Sequence, residues 1–176
     1  KKRSVAWKPK LSITTQVIDT AVRVIVVGLG IQGIKRRAIA GKEIVATVDP
    51  VHTEADYKSL TDVPLDTYDA ALVCTPDYAK IELLTHLLNN GKHLLVEKPL
   101  LAATNSELEG LAQIARSKGV VCYTAYNHRF EPHFQRMKQT IDSGRLGTIY
   151  SVRMFYGNGT ARLVRNSPWR DKGAGV

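Results

Sequence analysis

The stretch VIVVGLGIQGIKRRAIAG, from Val24 to Gly41, constrains this chain more than any other. A short apolar run, three glycines spaced G-x-G-x-x-G and an apolar-periodic segment predict a strand, a tight turn and a helix in immediate succession. The spacing alone is a weak signal, so its meaning depends on the residues downstream of it. In a phosphate-binding turn the three glycines do different things. Gly28 permits the turn, Gly30 lets backbone approach a pyrophosphate, and Gly33 lets helix pack on strand. Ile31 and Gln32 would then offer N–H groups of the helix start to the phosphates. Asp49 stands 21 residues beyond Gly28, at the tip of the next apolar run, where a carboxylate can accept both ribose hydroxyls of an adenosine. Strand, triplet, helix and acid together predict a dinucleotide site in place of a merely structural glycine turn. The same carboxylate would repel a 2′-phosphate, so NAD is the expected cofactor, and Arg36 and Arg37 keep NADP as the alternative.

The rest of the chain repeats the strand-helix alternation. EIVATVDP reads as a second strand ended by Pro50, and YDAALVCTP as a third ended by Pro76. A helix, DYAKIELLTHLLNNGK, should bury Ile81, Leu84, Leu87 and Leu88 and stop at Gly91. HLLVEKP is a fourth strand. TNSELEGLAQIARSKG is a helix with Thr104 or Asn105 as N-cap and Gly119 after it, and VVCYTAY is a fifth strand. Residues 53–67 form a crossover with one helical candidate around EADYKSL. EPHFQRMKQTIDSG predicts another helix, and TIYSVRMFYG a longer strand of two-residue alternation. The expected fold class is α/β: a doubly wound parallel sheet over 21–146, with a domain boundary after Gly147, where buried parallel-type strands give way to two-residue alternation.

Ligands of such sheets lie across the carboxyl ends of the strands, which nominates further residues. Cys74, Thr75, Pro76 and Asp77 end the third strand, either as a terminator capped by Asp77 or as cofactor contacts. Glu97 and Lys98 end the fourth, where a lysine beside a glutamate points to function.

Composition narrows the class. No apolar run approaches the roughly 18 residues of a membrane span, and the basic start meets Pro9 instead of an apolar core, so a soluble cytoplasmic protein is expected. Cys74 and Cys122 lack metal spacing and read as reduced buried thiols, and no metal site is expected. Of the +9 charge, Lys1, Lys2, Arg3, Lys8 and Lys10 carry five, which leaves +4 for the rest. A basic tail over 1–20 accounts for the excess, and no nucleic-acid motif accompanies it.

VGLGIQG, CTPDYAK, GKHLLVEKPL, YNHRFEPHF and GRLGTIYSV, in this order, resemble the glucose-fructose oxidoreductase and inositol dehydrogenase family, often called Gfo/Idh/MocA. The resemblance runs from about Val22 to Val176. It implies a Rossmann domain over 21–146, followed from 147 to 176 by the start of an α/β domain with a large open antiparallel sheet, and hydride transfer between NAD or NADP and a carbinol of a sugar, cyclitol or sugar nucleotide. It also implies a homo-oligomer. Lys98 would belong to the catalytic set, near the nicotinamide: an oxidised nicotinamide sets a like charge beside its ammonium and so favours proton release. Tyr126, Asn127, His128 and Arg129 match a stretch that lines the cofactor and substrate cleft, and Asn127, Trp169 and Arg170 are expected to contact cofactor.

Two departures accompany the resemblance. DYAK places Lys80 where the family commonly has a histidine. The histidine and aspartate that complete the family's catalytic set after the W-R pair do not occur before Val176, so the chain reads as the front half of a longer protein. That leaves a non-catalytic dinucleotide-binding module, a sensor or scaffold, as the alternative function. His128 and His133 could be proposed as replacement bases, but their five-residue spacing shares no helical face. A satisfied or exposed structural role is the expectation for His133, and His128 stays open.

Overall fold

The computed structural model describes residues 21–155. At its centre is the first apolar run: β1 (Val24–Val27) is buried at every position, as a strand covered on both faces must be. After it come α1 (Ile31–Ala40), β2 (Ile44–Val48), β3 (Ala70–Val73), α2 (Asp77–Asn89), β4 (His93–Val96), α3 (Asn105–Lys118), β5 (Cys122–Thr124) and α4 (Pro132–Asp142). All five strands are parallel, in the order β2-β1-β3-β4-β5. The chain moves from β1 outward to β2, then returns past β1 to β3. Strand order therefore reverses beside β1, and the glycine turn at its carboxyl end sits at the switch point where such sheets take ligands.

Right-handed crossovers place α1 on one face and α2 with α3, which pack on each other, on the opposite face. Ile25 and Val27 of β1, Val73 of β3 and Val96 of β4 share one core with Leu84, Leu87 and Leu88 of α2 and Leu111 of α3. The three leucines of α2 are fully buried, and each contributes about 1.5–3 kcal/mol by leaving water. Caps explain where the helices end. Between the two candidate N-caps of α3 the structure selects Thr104, whose hydroxyl accepts the Glu107 N–H (3.4 Å) while Glu107 Oε2 accepts the Thr104 N–H (3.0 Å). Gly119 then ends that helix in the left-handed region, φ +66°.

Two expectations fail. No α-helix forms around EADYKSL; the segment instead runs beside β2, with Tyr57 bridged to Val48, and then makes two short 3-10 turns. Asp56 is the cause. Its Oδ2 accepts both the Thr47 N–H (2.8 Å) and the Thr47 hydroxyl (2.6 Å), which tethers the crossover to the sheet and holds the carboxyl below its usual range. The alternating run after Gly147 does not form a strand over 148–155, because no neighbour pairs with it among the described residues, and a strand without a ladder has no partner for its backbone groups. The remainder of that run, the basic tail, Trp169 and Arg170 lie outside the described residues.

At the opposite, amino end of the sheet, Arg23 grips Asp69 through two guanidinium bonds, Nε to Oδ2 (3.1 Å) and Nη2 to Oδ1 (2.7 Å), and its own N–H donates to Oδ2 (3.0 Å). The side-chain bond from Arg23, then the backbone bond, hold the Asp69 carboxyl down at about 2. A carboxyl depressed in the folded state stabilises above its unfolded value, near 3.9, and loses that contribution as pH falls towards 2. A carboxylate-resolved NMR titration should give Asp69 a midpoint about a unit or more below ordinary aspartates.

Candidate active site: the rim at the switch point

Gly28 adopts φ +92°, and a Cβ there would lie 2.9 Å from the backbone carbon and oxygen of Cys74, so only glycine fits between β1 and β3. A Cβ on Gly33 would stand 1.8 Å from the Gly28 carbonyl oxygen, so α1 crosses the turn in contact with its backbone. Gly30 is different: among the described residues nothing lies within 4 Å of its would-be Cβ. Gly30 is also the N-cap of α1, and no side chain caps that helix start. Two glycines bring backbone together and the third opens towards solvent, which is the division of labour a pyrophosphate cradle needs.

The ladder carries the other strand tips to the same rim. Gly28 N–H donates to Val48 O (2.7 Å), Cys74 N–H to Val27 O (2.7 Å), Glu97 N–H to Val73 O (2.8 Å) and Ala125 N–H to Val96 O (2.8 Å). Asp49 is tied directly to the glycine turn, because its Oδ2 accepts the Leu29 N–H (2.7 Å) while Oδ1 accepts those of Val51 and His52 (2.8 Å each). Partial burial works against its charge, but the bonds from His52, Leu29 and Val51 outweigh it, and the carboxyl is held below its ordinary range. An anion so fixed keeps lone pairs for ribose hydroxyls.

After β3, the Thr75 hydroxyl oxygen is buried and, like His52 Nδ1 and the Tyr68 hydroxyl, has no hydrogen-bond partner among the described residues; of the three it is the one at a strand tip beside the glycine turn. Its neighbour Cys74 is a free thiol pushed up to about 12, chiefly by burial and next by the charge of Glu97, and so sits there as an apolar wall. Pro76 is the N-cap of α2. Asp77 does not cap that helix, contrary to one of the two readings of CTP; its Oδ1 accepts from Lys80 Nζ at 2.7 Å.

Lys98 projects as an exposed residue from the end of β4. Glu97 beside it is mostly buried, and Arg36 of α1 takes its carboxylate through Nε (2.7 Å) and Nη2 (2.6 Å). Arg36 is thereby committed to Glu97, while Arg37 is exposed and lines an outer groove together with Asp56. Tyr126 follows β5 and leads into a 3-10 turn over Asn127–Phe130, all exposed. Arg129 lies over the rings of Tyr123 and Phe130, 5.7 Å from each centroid. His128 and His133 share no helical face, yet both reach Glu131, at 2.5 and 3.1 Å, because the 3-10 turn precedes α4. His133 is exposed, with Glu131 as its partner.

Two interactions escape sequence reasoning. The Arg36–Glu97 clasp joins elements 61 residues apart and leaves no local trace. Lys80, which stands where the family commonly has a histidine, is 1% exposed and turned into the protein. The i,i+3 spacing of Asp77 and Lys80 is the one available hint. Among the described residues no three histidine, cysteine, aspartate or glutamate side chains gather to hold a metal, and no helix is long and apolar enough to cross a membrane.

Comparison with known proteins agrees with this geometry. Residues 22–126 match the model of the Gfo/Idh/MocA oxidoreductase family, described as having an NAD-binding Rossmann fold. Inositol 2-dehydrogenase 1 of Saccharopolyspora erythraea is 32% identical over 143 residues, 79% of this chain and 39% of that protein. The scyllo-inositol 2-dehydrogenase (NAD(+)) of Bacillus subtilis is 27% identical over 150 residues, 74% of this chain and 43% of that enzyme. Among solved structures, the WlbA dehydrogenase of Bordetella pertussis, in complex with NADH and UDP-GlcNAcA, shares the fold with TM-score 0.64 at 23% identity, over 74% of this chain and 45% of that one. The chain thus spans less than half the length of these relatives. The glycine cradle, the anchored Asp49 and the E-K-P corner after β4 all lie within the matched residues, and the chain belongs to the Gfo/Idh/MocA oxidoreductase family, with its NAD-binding Rossmann fold.

Proposed function

We propose that this chain is the cofactor-binding half of an NAD-dependent dehydrogenase that acts on a CH–OH group of a cyclitol, sugar or sugar nucleotide. The observation that carries the reading is the corner where Gly30 opens to solvent, Asp49 is locked to the turn by the Leu29 N–H, and Thr75 offers a buried unpaired hydroxyl. NAD would supply a hydride acceptor at the carbinol carbon. The chain's residues do the remaining work. The helix start at Ile31 and Gln32 binds the pyrophosphate, and Asp49 holds the adenosine ribose and disfavours a 2′-phosphate. Lys98 takes the hydroxyl proton as the carbon gives up hydride, and Tyr126, Asn127, His128 and Arg129 line the substrate side. The cyclitol and nucleotide-sugar names of the relatives support the substrate class.

Calorimetry of the intact protein should show NAD binding at least about tenfold tighter than NADP, a difference of ~1.4 kcal/mol. A screen of inositols, sugars and nucleotide sugars for NAD reduction should find a substrate. In the same protein Lys98→Ala should lower turnover by about 10²-fold or more and leave NAD affinity within about threefold. Equal losses of both would make Lys98 a structural residue.

A further inference from the structure

Lys80 lies in the first turn of α2, but its side chain leaves the helix surface for the interior, where it is 1% exposed. Its Nζ makes three hydrogen bonds: to Asp77 Oδ1 (2.7 Å), to the Glu97 carbonyl (2.7 Å) and to the Pro99 carbonyl (2.6 Å). Three donations use all the N–H bonds of an ammonium, so the group is fully satisfied in the charged form. The two carbonyls belong to the residues immediately before and after Lys98. One buried cation thus clamps both peptide neighbours of the lysine that, under the proposed function, handles the substrate proton.

The corner is also held from its other side. Arg36, on the helix that follows the glycine turn, takes the Glu97 carboxylate, so α1 grips the side chain of residue 97 while α2 grips its backbone. These two helices begin at β1 and β3, the strands that flank the switch point. A largely buried ion pair is a poor device for raw stability, because well-packed apolar groups of the same volume do as well or better, and its best use is to specify one arrangement. Proton transfer needs that kind of specification, since a reacting group must be held to within about 0.5 Å.

We propose that Lys80 is a positioning residue: by clamping the Glu97 and Pro99 carbonyls it fixes the backbone from which Lys98 reaches the cofactor and substrate. The inference rests on the dinucleotide-binding reading of the rim, and it concerns geometry at a named atom. It can therefore be read without turnover.

The probe is the intact protein with its lysines dimethylated by ¹³C-formaldehyde and a reducing agent, the Lys98 signal being assigned by its loss in Lys98→Ala. Addition of NAD should displace the Lys98 signal. In Lys80→Met that displacement should fall by about half or more, while calorimetric NAD affinity stays within about threefold, because the glycine turn and Asp49 are untouched. An unchanged Lys98 response in a folded Lys80→Met protein overturns the proposal, and so does an equal loss of NAD affinity. Should the methionine variant not fold, Lys80→Gln keeps a neutral donor at the site and should show a smaller reduction of the same sign; a wild-type response there overturns the proposal equally. Absence of NAD binding in the parent protein would instead sink the function from which this inference starts.

Discussion

Gly33→Ala is expected to abolish NAD binding and to destabilise the protein by about 3 kcal/mol or more. The added methyl would lie 1.8 Å from the carbonyl oxygen of Gly28 and 2.9 Å from its carbonyl carbon, both backbone atoms with no rotamer to escape into. Relief can come only by lifting α1 off the turn, which spreads the N–H groups proposed to face the pyrophosphate and breaks the approach of β1 to β3. Gly30→Ala is the matched control. Nothing within 4 Å meets its methyl, so unfolding by heat or urea should be nearly unchanged, yet the methyl occupies the side of the turn left open for a diphosphate and NAD affinity should fall. A pair of variants that separates stability from binding in this way assigns the two glycines their different roles. Unchanged NAD affinity in a stably folded Gly30→Ala protein would mean that the open face at Gly30 has no ligand role.

Asp77→Ala should be nearly as damaging, by a different route. Lys80 is 1% exposed, and Asp77, at 16% side-chain exposure, carries its compensating charge. Removal of the carboxylate strands a buried cation, for which the usual cost is about 3–5 kcal/mol. The two backbone carbonyls that remain on Lys80 soften the loss, which places the expectation at the lower end of that range. Denaturant unfolding of the intact protein measures it. The double change Lys80→Met with Asp77→Leu, which removes both charges and fills the space with apolar atoms, should recover a large part of the deficit, because the penalty belongs to the unpaired charge. A double variant no more stable than Asp77→Ala would show that the pair does not act as a unit.

The cofactor corner is legible in the sequence because its requirements are local. Gly28 needs a positive φ, Gly33 needs to lack a Cβ, and Asp49 needs to end a strand, and each demand is written at the residue that meets it. The capping box of Thr104 and Glu107 is equally local, four adjacent positions that satisfy one another. The hidden features depend on distant partners. The crossover after Pro50 looks faintly helical, but Asp56 finds Thr47 on β2 and draws the backbone alongside the sheet. The alternating run after Gly147 has a strand's pattern, and pattern alone cannot supply a neighbour. In the sequence Arg36 stands as a possible partner of a 2′-phosphate and Lys80 as the occupant of a family histidine's position, and only the arrival of the β4 corner between the two helices turns them to Glu97 and Pro99. Asp77 reads as a helix cap for the same reason: its partner, a lysine folded back into the core, is visible only once α2 is packed.

A crystal structure of the intact protein with NAD tests the central claim most directly. The pyrophosphate should lie against the helix start, with oxygens about 3 Å from the backbone nitrogens of Ile31 and Gln32, and the adenosine ribose should rest on Asp49, its nicotinamide end running towards Lys98. A nucleotide bound away from that turn, or one whose diphosphate is held clear of Gly30 with Asp49 untouched, would contradict the account.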